Sequence, residues 1–291
     1  MPHVPMEELL ARVEADGTGL GAMNVIALEH AEAIVAGAEA ARRPVVLQIS
    51  ENTIQYHGSI APLALACLRI AEESSAPVSV HLDHATDQSL VRRAVDLGIG
   101  SVMFDASRLP HDDNVGETAA MALWCHERGA SIEAELGEVG GKDGVHAPGV
   151  RTKPVEAARF VETTAVDSLA VAVGSSHAME TRDARLDEPL IREIAADVPV
   201  PLVLHGSSGV PDDGLQAAVA AGMRKINIAT HLNLQMTQAV LEAITTGRRG
   251  DPRGYLGAGR TAVADEVERL LRLLAAPSTA PEASLQSSDA S

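Results

Sequence analysis

Aromatic residues are scarce in this sequence. Its 291 residues include two Phe, two Tyr and one Trp, 2% of the chain, although 46% of all residues are hydrophobic. The core must therefore be built from Ala, Val, Leu and Ile, as in parallel sheets that are covered by helices. The length suits one large α/β domain or two small ones.

Cysteine and long apolar runs are also lacking. Cys67 and Cys125 lie in helix-like stretches rather than in a closely spaced disulfide framework, so we predict two buried free thiols in a reducing cytoplasm. No apolar run approaches the roughly 18 residues that a membrane-spanning helix needs. The N-terminus lacks the basic-then-apolar order of a signal peptide. We therefore expect a cytoplasmic protein that does not act in a membrane.

Positive charge is in the minority. The sequence has 23 Lys and Arg against 40 Asp and Glu, a formal net charge of −17 at pH 7. Such a balance argues against nucleic acid or an anionic membrane as a partner. A phosphorylated substrate would have to be bound by local backbone amides and a few cationic side chains.

Short apolar runs alternate with Ala-, Glu- and Arg-rich segments of helical period. The runs that predict strands are 20–26, 45–49, 78–82, 100–104, 131–135, 168–173, 201–204 and 224–228. Eight strand–helix units predict a (β/α)8 barrel with extra terminal helices. A doubly wound open sheet is the alternative, but no Gly-rich nucleotide fingerprint follows the first strand. We predict a barrel domain over residues 1–275 and a disordered tail over residues 276–291.

Histidines end three of the predicted strands, at His84, His177 and His205. The carboxyl ends of barrel strands meet at one face, where barrels keep their chemistry. Three imidazoles with an open fourth position would describe a catalytic zinc site. The alternative for each is an ordinary structural histidine, which is how we interpret His81 in the core.

Carboxylates accompany these histidines. Asp83 adjoins His84 and could orient a metal ligand or act as a general acid–base. Glu133 and Glu135 share one face of the fifth predicted strand, and Asp105 ends the fourth. Inward carboxylates are costly unless they meet a cation or transfer a proton, although any one of them could be a salt-bridged structural acid.

Two small polar loops are candidates for phosphate binding. They follow the seventh and eighth predicted strands and contain Gly206, Ser207 and Ser208 in the first, and Asn227, Ala229 and Thr230 in the second. Barrels often bind phosphate at these two loops, through amides at a helix start. An ordinary Gly/Ser loop is the alternative.

Taken in order, the motifs of this chain resemble the class II (zinc-dependent) ketose-bisphosphate aldolases, the fructose- and tagatose-bisphosphate enzymes. The resemblance runs from about residue 6 to residue 274. Its motifs are Asn24, Gln48-Ile49-Ser50, His81-Leu82-Asp83-His84, Phe104-Asp105-Ala106-Ser107, Glu133-Ala134-Glu135-Leu136-Gly137 with Gly140-Gly141, Val173-Gly174-Ser175-Ser176-His177, Leu204-His205-Gly206-Ser207-Ser208, Lys225-Ile226-Asn227-Ile228-Ala229-Thr230 and Asp251-Pro252-Arg253.

The resemblance implies a role for each candidate residue. It implies Zn²⁺ on His84, His177 and His205, with Glu135 and Asp105 near a second or alternative cation, divalent or monovalent. Asp83 would move the proton on the C4 oxygen. The implied substrate-binding residues are Asn24, Ser50, Gly206, Ser207, Ser208, Asn227, Ala229, Thr230 and Arg253. Arg253 reaches across a subunit boundary in some members, which implies a homodimer or homotetramer.

Three departures from the family pattern stand out. Ala178 and Met179 follow His177, where the family usually has Gly and then an aromatic residue. Asp143 stands where the family usually carries the Glu that handles the carbon-bound proton, and it is one methylene shorter. Ala106 and Arg108 replace the more usual Gly and His. No predicted zinc ligand is lost.

The resemblance implies reversible cleavage of a ketose 1,6-bisphosphate, by default fructose 1,6-bisphosphate, to dihydroxyacetone phosphate and glyceraldehyde 3-phosphate. Tagatose 1,6-bisphosphate or a deoxy sugar-acid phosphate is the alternative substrate, and the pathway would be glycolysis or the breakdown of one sugar. A zinc ion would stabilise the negative charge on the ketone fragment, so no lysine Schiff base is needed. None of Lys142, Lys153 and Lys225 is expected in a desolvated catalytic setting. The residues alone leave open a zinc-dependent barrel hydrolase and a non-catalytic partner subunit.

Overall fold

Parallel strands close into a barrel. The computed structural model describes residues 3–136, 151–176, 179, 181–247 and 250–276. Its strands are β1 (Leu20–Asn24), β2 (Val45–Ser50), β3 (Val78–Ala85), β4 (Ser101–Phe104), β5 (Ser131–Glu135), β6 (Ser168–Ala170), β7 (Leu202–Leu204) and β8 (Met223–Ile228). Each pairs in parallel with its neighbours in sequence, and β8 pairs with β1 to close the ring. The predicted (β/α)8 barrel is confirmed.

Helices separate the strands and surround them. They are α1 (Met6–Asp16), α2 (Leu28–Ala41), α3 (Glu51–His57), α4 (Ala61–Glu73), α5 (Gln88–Asp96), α6 (His111–His126), α7 (Pro154–Thr164), α8 (Glu188–Asp197), α9 (Asp212–Ala221), α10 (Thr230–Thr246) and α11 (Pro252–Ala275), with a short 3-10 helix at Ser207–Gly209. Each of the eight runs predicted as a strand overlaps one of the observed strands. The sequence reasoning missed α3 and the 3-10 helix, both of which border the cavity described below.

The core lies mainly between the barrel and its helices. Along β2, every residue from Val45 to Ile49 is buried, because a parallel barrel strand is covered on both faces. A smaller apolar cluster lies under α1, where Leu9, Leu10 and Val13 belong to the same cluster as Leu20 of β1. Helix α1 therefore covers the amino-terminal end of the barrel and leaves the carboxyl end for chemistry.

Both thiols are buried and free, as predicted. Burial raises the pKa of Cys67 to about 12 and, as the main cause, that of Cys125 to about 11, so neither thiol is a nucleophile near neutral pH. Among the described residues, no helix combines the length and the apolar character needed to span a membrane. The tail predicted from residue 276 falls almost wholly in 277–291, outside the described residues.

Candidate metal centre and substrate cavity

A cavity of about 450 Å³ lies at the carboxyl ends of the strands. Its lining contains most of the residues predicted to bind substrate. The lining residues are Asn24, Ile26, Gln48, Ser50, Asn52, Thr53, Tyr56, Asp83, His84, Gly206, Ser208, Asn227, Ala229, Thr230 and Asn233. A second cavity, of about 820 Å³, lies at the opposite end of the barrel beside α1 and contains none of the predicted site residues.

The end of β3 presents two consecutive residues to this cavity. Regular strands point successive side chains to opposite faces, yet both Asp83 and His84 line it. His84 has φ +49°, and the pairing of β3 with β4 shifts register between Leu82 and Ala85. This bulge turns the imidazole of His84 toward the same cavity as the carboxylate of Asp83. Non-glycine residues with positive φ cost roughly 1–3 kcal/mol, so the surrounding fold must hold His84 in place.

His205 lies fully buried between two carboxylates of β5. Its Nε2 is 3.0 Å from Oε1 of Glu133, and its Nδ1 is 3.3 Å from Oε2 of Glu135. The hydroxyl of Ser175 donates to its backbone carbonyl at 2.6 Å. Burial by itself would lower the pKa of His205, but the two carboxylates outweigh burial and raise it to about 9.

Nitrogen and carboxylate donors converge here. The rings of His84 and His205 lie 4.6 Å apart between centroids, and Nδ1 of His84 is 3.0 Å from Oδ2 of Asp105. Two trios, Asp83–His84–His205 and His84–Asp105–Glu135, each offer ligand atoms within 4.8 Å of one another. Imidazole and carboxylate donors suit Zn²⁺, and a cation would offset the cost of burying these acids. The donor set therefore fits a divalent metal. His177 lies outside the described residues, so the three-histidine set stays a prediction.

Asp83 is almost fully buried at the cavity wall. Burial would raise the pKa of Asp83, but the nearby His84 and Lys225 outweigh it and hold the pKa below its usual value. Asn227 donates from Nδ2 to Oδ1 of Asp83 at 3.4 Å. The carboxylate is therefore ionised at neutral pH and can accept a proton from a hydroxyl bound in the cavity.

The two candidate phosphate loops are joined to each other. The hydroxyl of Ser208 accepts the backbone N–H of Ala229 at 3.2 Å and of His231 at 3.3 Å. The hydroxyl of Ser207 donates to the carbonyl of Asn227. Ser207 is buried, and of the six loop residues predicted to bind substrate it is the one absent from the cavity lining. Its side chain holds the loops together.

Gly206 is required by the shape of this loop. It has φ +65°, and a Cβ added there would lie 2.5 Å from the backbone of Ser176. The 3-10 helix Ser207–Gly209 begins directly after Gly206. Met179, one of the departures from the family pattern, lies against Gly209, where an added Cβ would be 2.5 Å from its Sδ.

The expectation that no lysine lies in a desolvated catalytic setting needs a correction at Lys225, which is desolvated. It is fully buried, and its Nζ lies 2.9 Å from Oε2 of Glu133 and donates to Oδ1 of Asn227 at 2.9 Å. The alternation in β8 already carried the signal, because Lys225 and Asn227 share one face and the isoleucines between and after them share the other.

Helix α3 supplies cavity residues that the sequence reasoning missed. Asn52, Thr53 and Tyr56 all line the cavity. The sequence signal for α3 was a helix N-cap at Ser50. The hydroxyl of Ser50 accepts the backbone N–H of Thr53, three residues later, at 3.2 Å and caps α3. Ser50, predicted to bind substrate, therefore also has a structural task.

Arg253 lies away from the cavity of its own chain. Its side chain is 90% exposed and pairs with Asp251, with Nη2 2.8 Å from Oδ2. Asp143, predicted to handle the carbon-bound proton, lies outside the described residues. His81 is fully buried and contacts Ser101 through Nδ1 at 2.8 Å, which agrees with its interpretation as a core histidine.

Known proteins share this architecture and sequence. A fructose-bisphosphate aldolase from Staphylococcus epidermidis is 36% identical over 277 residues, covering 94% of this chain and 97% of the relative. A probable fructose-bisphosphate aldolase from Bacillus subtilis is 36% identical and covers 92% of this chain and 95% of its own. The crystal structure of the YdjI aldolase from Escherichia coli K12 superposes with a TM-score of 0.84 at 27% identity, covering 93% of this chain and 97% of that one. A putative fructose-1,6-bisphosphate aldolase from Coccidioides immitis gives 0.79 at 27% identity, with 92% and 96% covered.

A family model agrees with these relatives over nearly the whole sequence. The model described as fructose-bisphosphate aldolase class-II matches residues 4–278. The match includes every strand of the barrel and both candidate phosphate loops. This protein therefore belongs to the class II fructose-bisphosphate aldolase family, whose members are carbon–carbon lyases.

Proposed function

We propose that this aldolase uses Zn²⁺ to cleave a ketose 1,6-bisphosphate reversibly between C3 and C4, giving dihydroxyacetone phosphate and an aldehyde phosphate. The observation that carries the proposal is one cavity that brings together His84, Asp83 and two loops able to hold phosphate. The fully buried His205 forms a trio with Asp83 and His84, whose ligand atoms lie within 4.8 Å of one another.

Each group has a distinct proposed task. His84 and His205, with His177, would hold the zinc, and Glu135 and Asp105 would serve a second or alternative cation. Zinc bound there supplies a Lewis acid for the negative charge that develops on the ketone fragment. Asp83, ionised and within reach of Asn227, accepts the C4 hydroxyl proton as the bond breaks and returns it in the condensation direction.

The phosphate of the ketone fragment is assigned to the loops after β7 and β8. Ala229 and Thr230 lie where α10 begins, Gly206 and Ser208 line the same cavity from the loop after β7, and amides at a helix start favour anions. Local amides thus bind phosphate in a chain whose net charge is −17. Asn24 at the end of β1 and Ser50 at the end of β2 line the same cavity and are assigned to substrate binding as well.

Fructose 1,6-bisphosphate is the proposed substrate because the curated relatives carry that name. Tagatose 1,6-bisphosphate differs at C4, the carbon whose hydroxyl faces Asp83 in this assignment. A deoxy sugar-acid phosphate is the third candidate. We further propose a cytoplasmic homodimer or homotetramer in which Arg253 binds the second phosphate in a neighbouring subunit, and Asp143 moves the carbon-bound proton.

The decisive experiment assays purified protein with both bisphosphates, before and after EDTA treatment, and again after zinc is restored. We expect cleavage to disappear with the metal and to return with zinc. The better of the two sugars, by kcat/KM, identifies the substrate. Activity that survives complete metal removal would exclude the zinc mechanism. Release of inorganic phosphate without triose phosphate would instead identify a hydrolase.

A further inference from the structure

A buried chain of polar contacts crosses the interior of the barrel behind the cavity. It connects three strands: Glu133 on β5, Lys225 on β8 and Asp83 on β3, with Asn227 between the last two. Glu133 and Lys225 are both at most 2% exposed. Replacing a buried ion pair by apolar residues of similar volume is often neutral or stabilising. Stability alone therefore does not explain these buried polar contacts.

One branch leads to His205. Oε1 of Glu133 accepts from Nε2 of His205 at 3.0 Å, while Oε2 of Glu133 faces Nζ of Lys225 at 2.9 Å. A hydrogen bond at Nε2 leaves Nδ1 as the atom able to ligate a cation, and Nδ1 is the atom beside Glu135. Partners of this kind fix the ring orientation and the tautomer of a histidine ligand.

Lys225 is the cationic side chain that pairs with Glu133. A metal-bound imidazole is neutral, so His205 contributes no positive charge to Glu133 once a cation is held. The other neighbour, His81, is farther away, with its Nε2 4.0 Å from Oε2 of Glu133. Lys225 therefore supplies the lasting positive charge opposite this buried carboxylate.

The second branch leads to Asp83. Lys225 donates to Oδ1 of Asn227 and so fixes the orientation of the amide. The amide then presents Nδ2 to Oδ1 of Asp83 and to the cavity. Without the lysine, the amide could rotate and place its oxygen next to the carboxylate, where the two would repel each other.

We propose that Lys225 is a positioning residue that sets the metal-binding face of His205 through Glu133 and the amide of Asn227 beside Asp83. The inference rests on the proposed zinc function of His205. It assigns the positioning of both His205 and the amide beside Asp83 to one buried side chain. It gives Lys225 a role in an aldolase that forms no Schiff base.

The first test replaces Lys225 by methionine, K225M, which keeps a long unbranched side chain and removes the charge. Zinc affinity is measured by chelator competition, and the visible spectrum of the cobalt-substituted protein reports ligand geometry. We expect zinc affinity to fall roughly 10- to 100-fold, as for other losses of support to a histidine ligand, with an altered cobalt spectrum. At saturating zinc, kcat should still be below that of the wild type because Asn227 is no longer held.

The surface substitution K153M is the matched control, because Lys153 makes the same kind of ion pair with Glu156 but is exposed. It should leave zinc affinity and kcat at wild-type values. A second control, H205A, tests the proposed function itself. If H205A keeps wild-type zinc affinity, the metal assignment is wrong; if H205A loses zinc while K225M keeps both affinity and spectrum, the positioning role alone is overturned.

A lone buried carboxylate could prevent K225M from folding. If K225M does not fold, the double variant K225M/E133Q, which removes both charges, is tested instead. Circular dichroism checks that the double variant folds. It should bind zinc about as tightly as E133Q alone, because both lesions act on His205 through the same contact. Additive losses in zinc affinity, or wild-type affinity in the double variant, would contradict the inference. An unchanged kcat at saturating zinc would overturn the branch to Asn227.

Discussion

Individual residues in the cavity combine strain with close contact. His84 keeps a positive φ so that consecutive side chains reach one cavity, and Gly206 keeps one so that its loop can touch Ser176. In both cases, the backbone conformation is unfavourable for most residues and is maintained by the surrounding barrel. Function at this scale depends on the placement of single atoms.

Replacing Asp83 by alanine, D83A, should lower kcat by roughly 10²- to 10⁴-fold, the usual contribution of a positioned proton-transfer group. The expected physical reason is loss of the group that accepts the C4 proton, and not loss of metal. Steady-state kinetics and zinc stoichiometry by atomic absorption check this together. The exposed Asp96 offers the control D96A, which should behave as the wild type. A near-normal kcat in D83A would mean that this carboxylate only orients its neighbours.

Replacing Gly206 by alanine, G206A, should destabilise the protein and raise KM for the bisphosphate. The new Cβ would meet the backbone of Ser176 at 2.5 Å, and alanine is strained at φ +65°. Gly58 provides the control because it has φ +73° with open space around it, so G58A isolates the backbone strain, roughly 1–2 kcal/mol. Urea unfolding and kinetics measure both effects. Equal destabilisation in the two variants would argue against the close contact.

At the scale of elements, an ion-pair network secures the phosphate loops from outside the cavity. Arg182 pairs with Asp212 at 2.6 Å and also donates to the carbonyl of Val210, just after the 3-10 helix. Arg269 of α11 pairs with both Asp212 and Glu266. His231, whose backbone N–H bonds to Ser208, is 2.6 Å from Glu266 through Nε2. Residues of α11 therefore hold three segments in place: the segment at Arg182, the start of α9 at Asp212 and the start of α10 at His231.

Replacing Glu266 by glutamine, E266Q, should reduce the free energy of unfolding by roughly 1.5–3 kcal/mol at pH 7, the range for hydrogen bonds to charged groups. Burial opposes ionisation, but Arg269 and His231 outweigh it and lower the pKa of Glu266 to about 2. Because the folded pKa lies below the unfolded one, this contribution is complete above about pH 4.5 and is lost as the pH falls toward 2. Urea titrations across that range should show the variant and the wild type converging.

The control for this prediction is E268Q on the same helix. Glu268 pairs with Arg272, whose side chain is 62% exposed, and exposed pairs contribute about 0–1 kcal/mol. A loss in E268Q as large as that in E266Q, or a difference between E266Q and the wild type that does not shrink at low pH, would contradict the role given to Glu266.

For the whole molecule, metal removal should abolish activity without unfolding the barrel. The apolar core lies between strands and helices and contains none of the proposed ligands. Circular dichroism of the EDTA-treated protein should therefore match that of the zinc form. Zinc at 100 times its Kd should stabilise the fold by about 2.7 kcal/mol through linkage, seen as a higher Tm. Unfolding on metal removal would show that the site supports the fold.

Mixing two inactive variants tests whether subunits share a site. Arg253 is 90% exposed and lies outside the cavity lining of its own chain, so its proposed role requires a neighbouring subunit. D83A and R253A, each with low activity, should regain part of the wild-type activity when they are mixed under subunit exchange. Mixed dimers would contain one site with neither lesion. No recovery, although mixed dimers form, would place Arg253 in its own subunit's chemistry or in none.

Much of the fold follows from local pattern. The eight strands are apolar because both of their faces are covered, and this makes them visible as runs between helical segments. The ends of the strands also predicted residues that line the cavity, including Asp83, His84 and the loops containing Ser208 and Thr230, together with the buried His205 beside them. Segments whose conformation depends on contacts far away in sequence, such as α3 and the 3-10 helix, were not predicted.

By itself, the sequence determined the barrel and the order in which its strands deliver donors, because alternation and strand ends are local properties. Only the tertiary structure decided which donors meet. It placed Lys225 against Glu133, two residues 92 positions apart, and turned Asp83 and His84 toward one cavity through a bulge. It also left Arg253 outside that cavity. The physical reason is that closing a barrel brings distant strands within hydrogen-bonding distance, and no local pattern records which side chains then face one another.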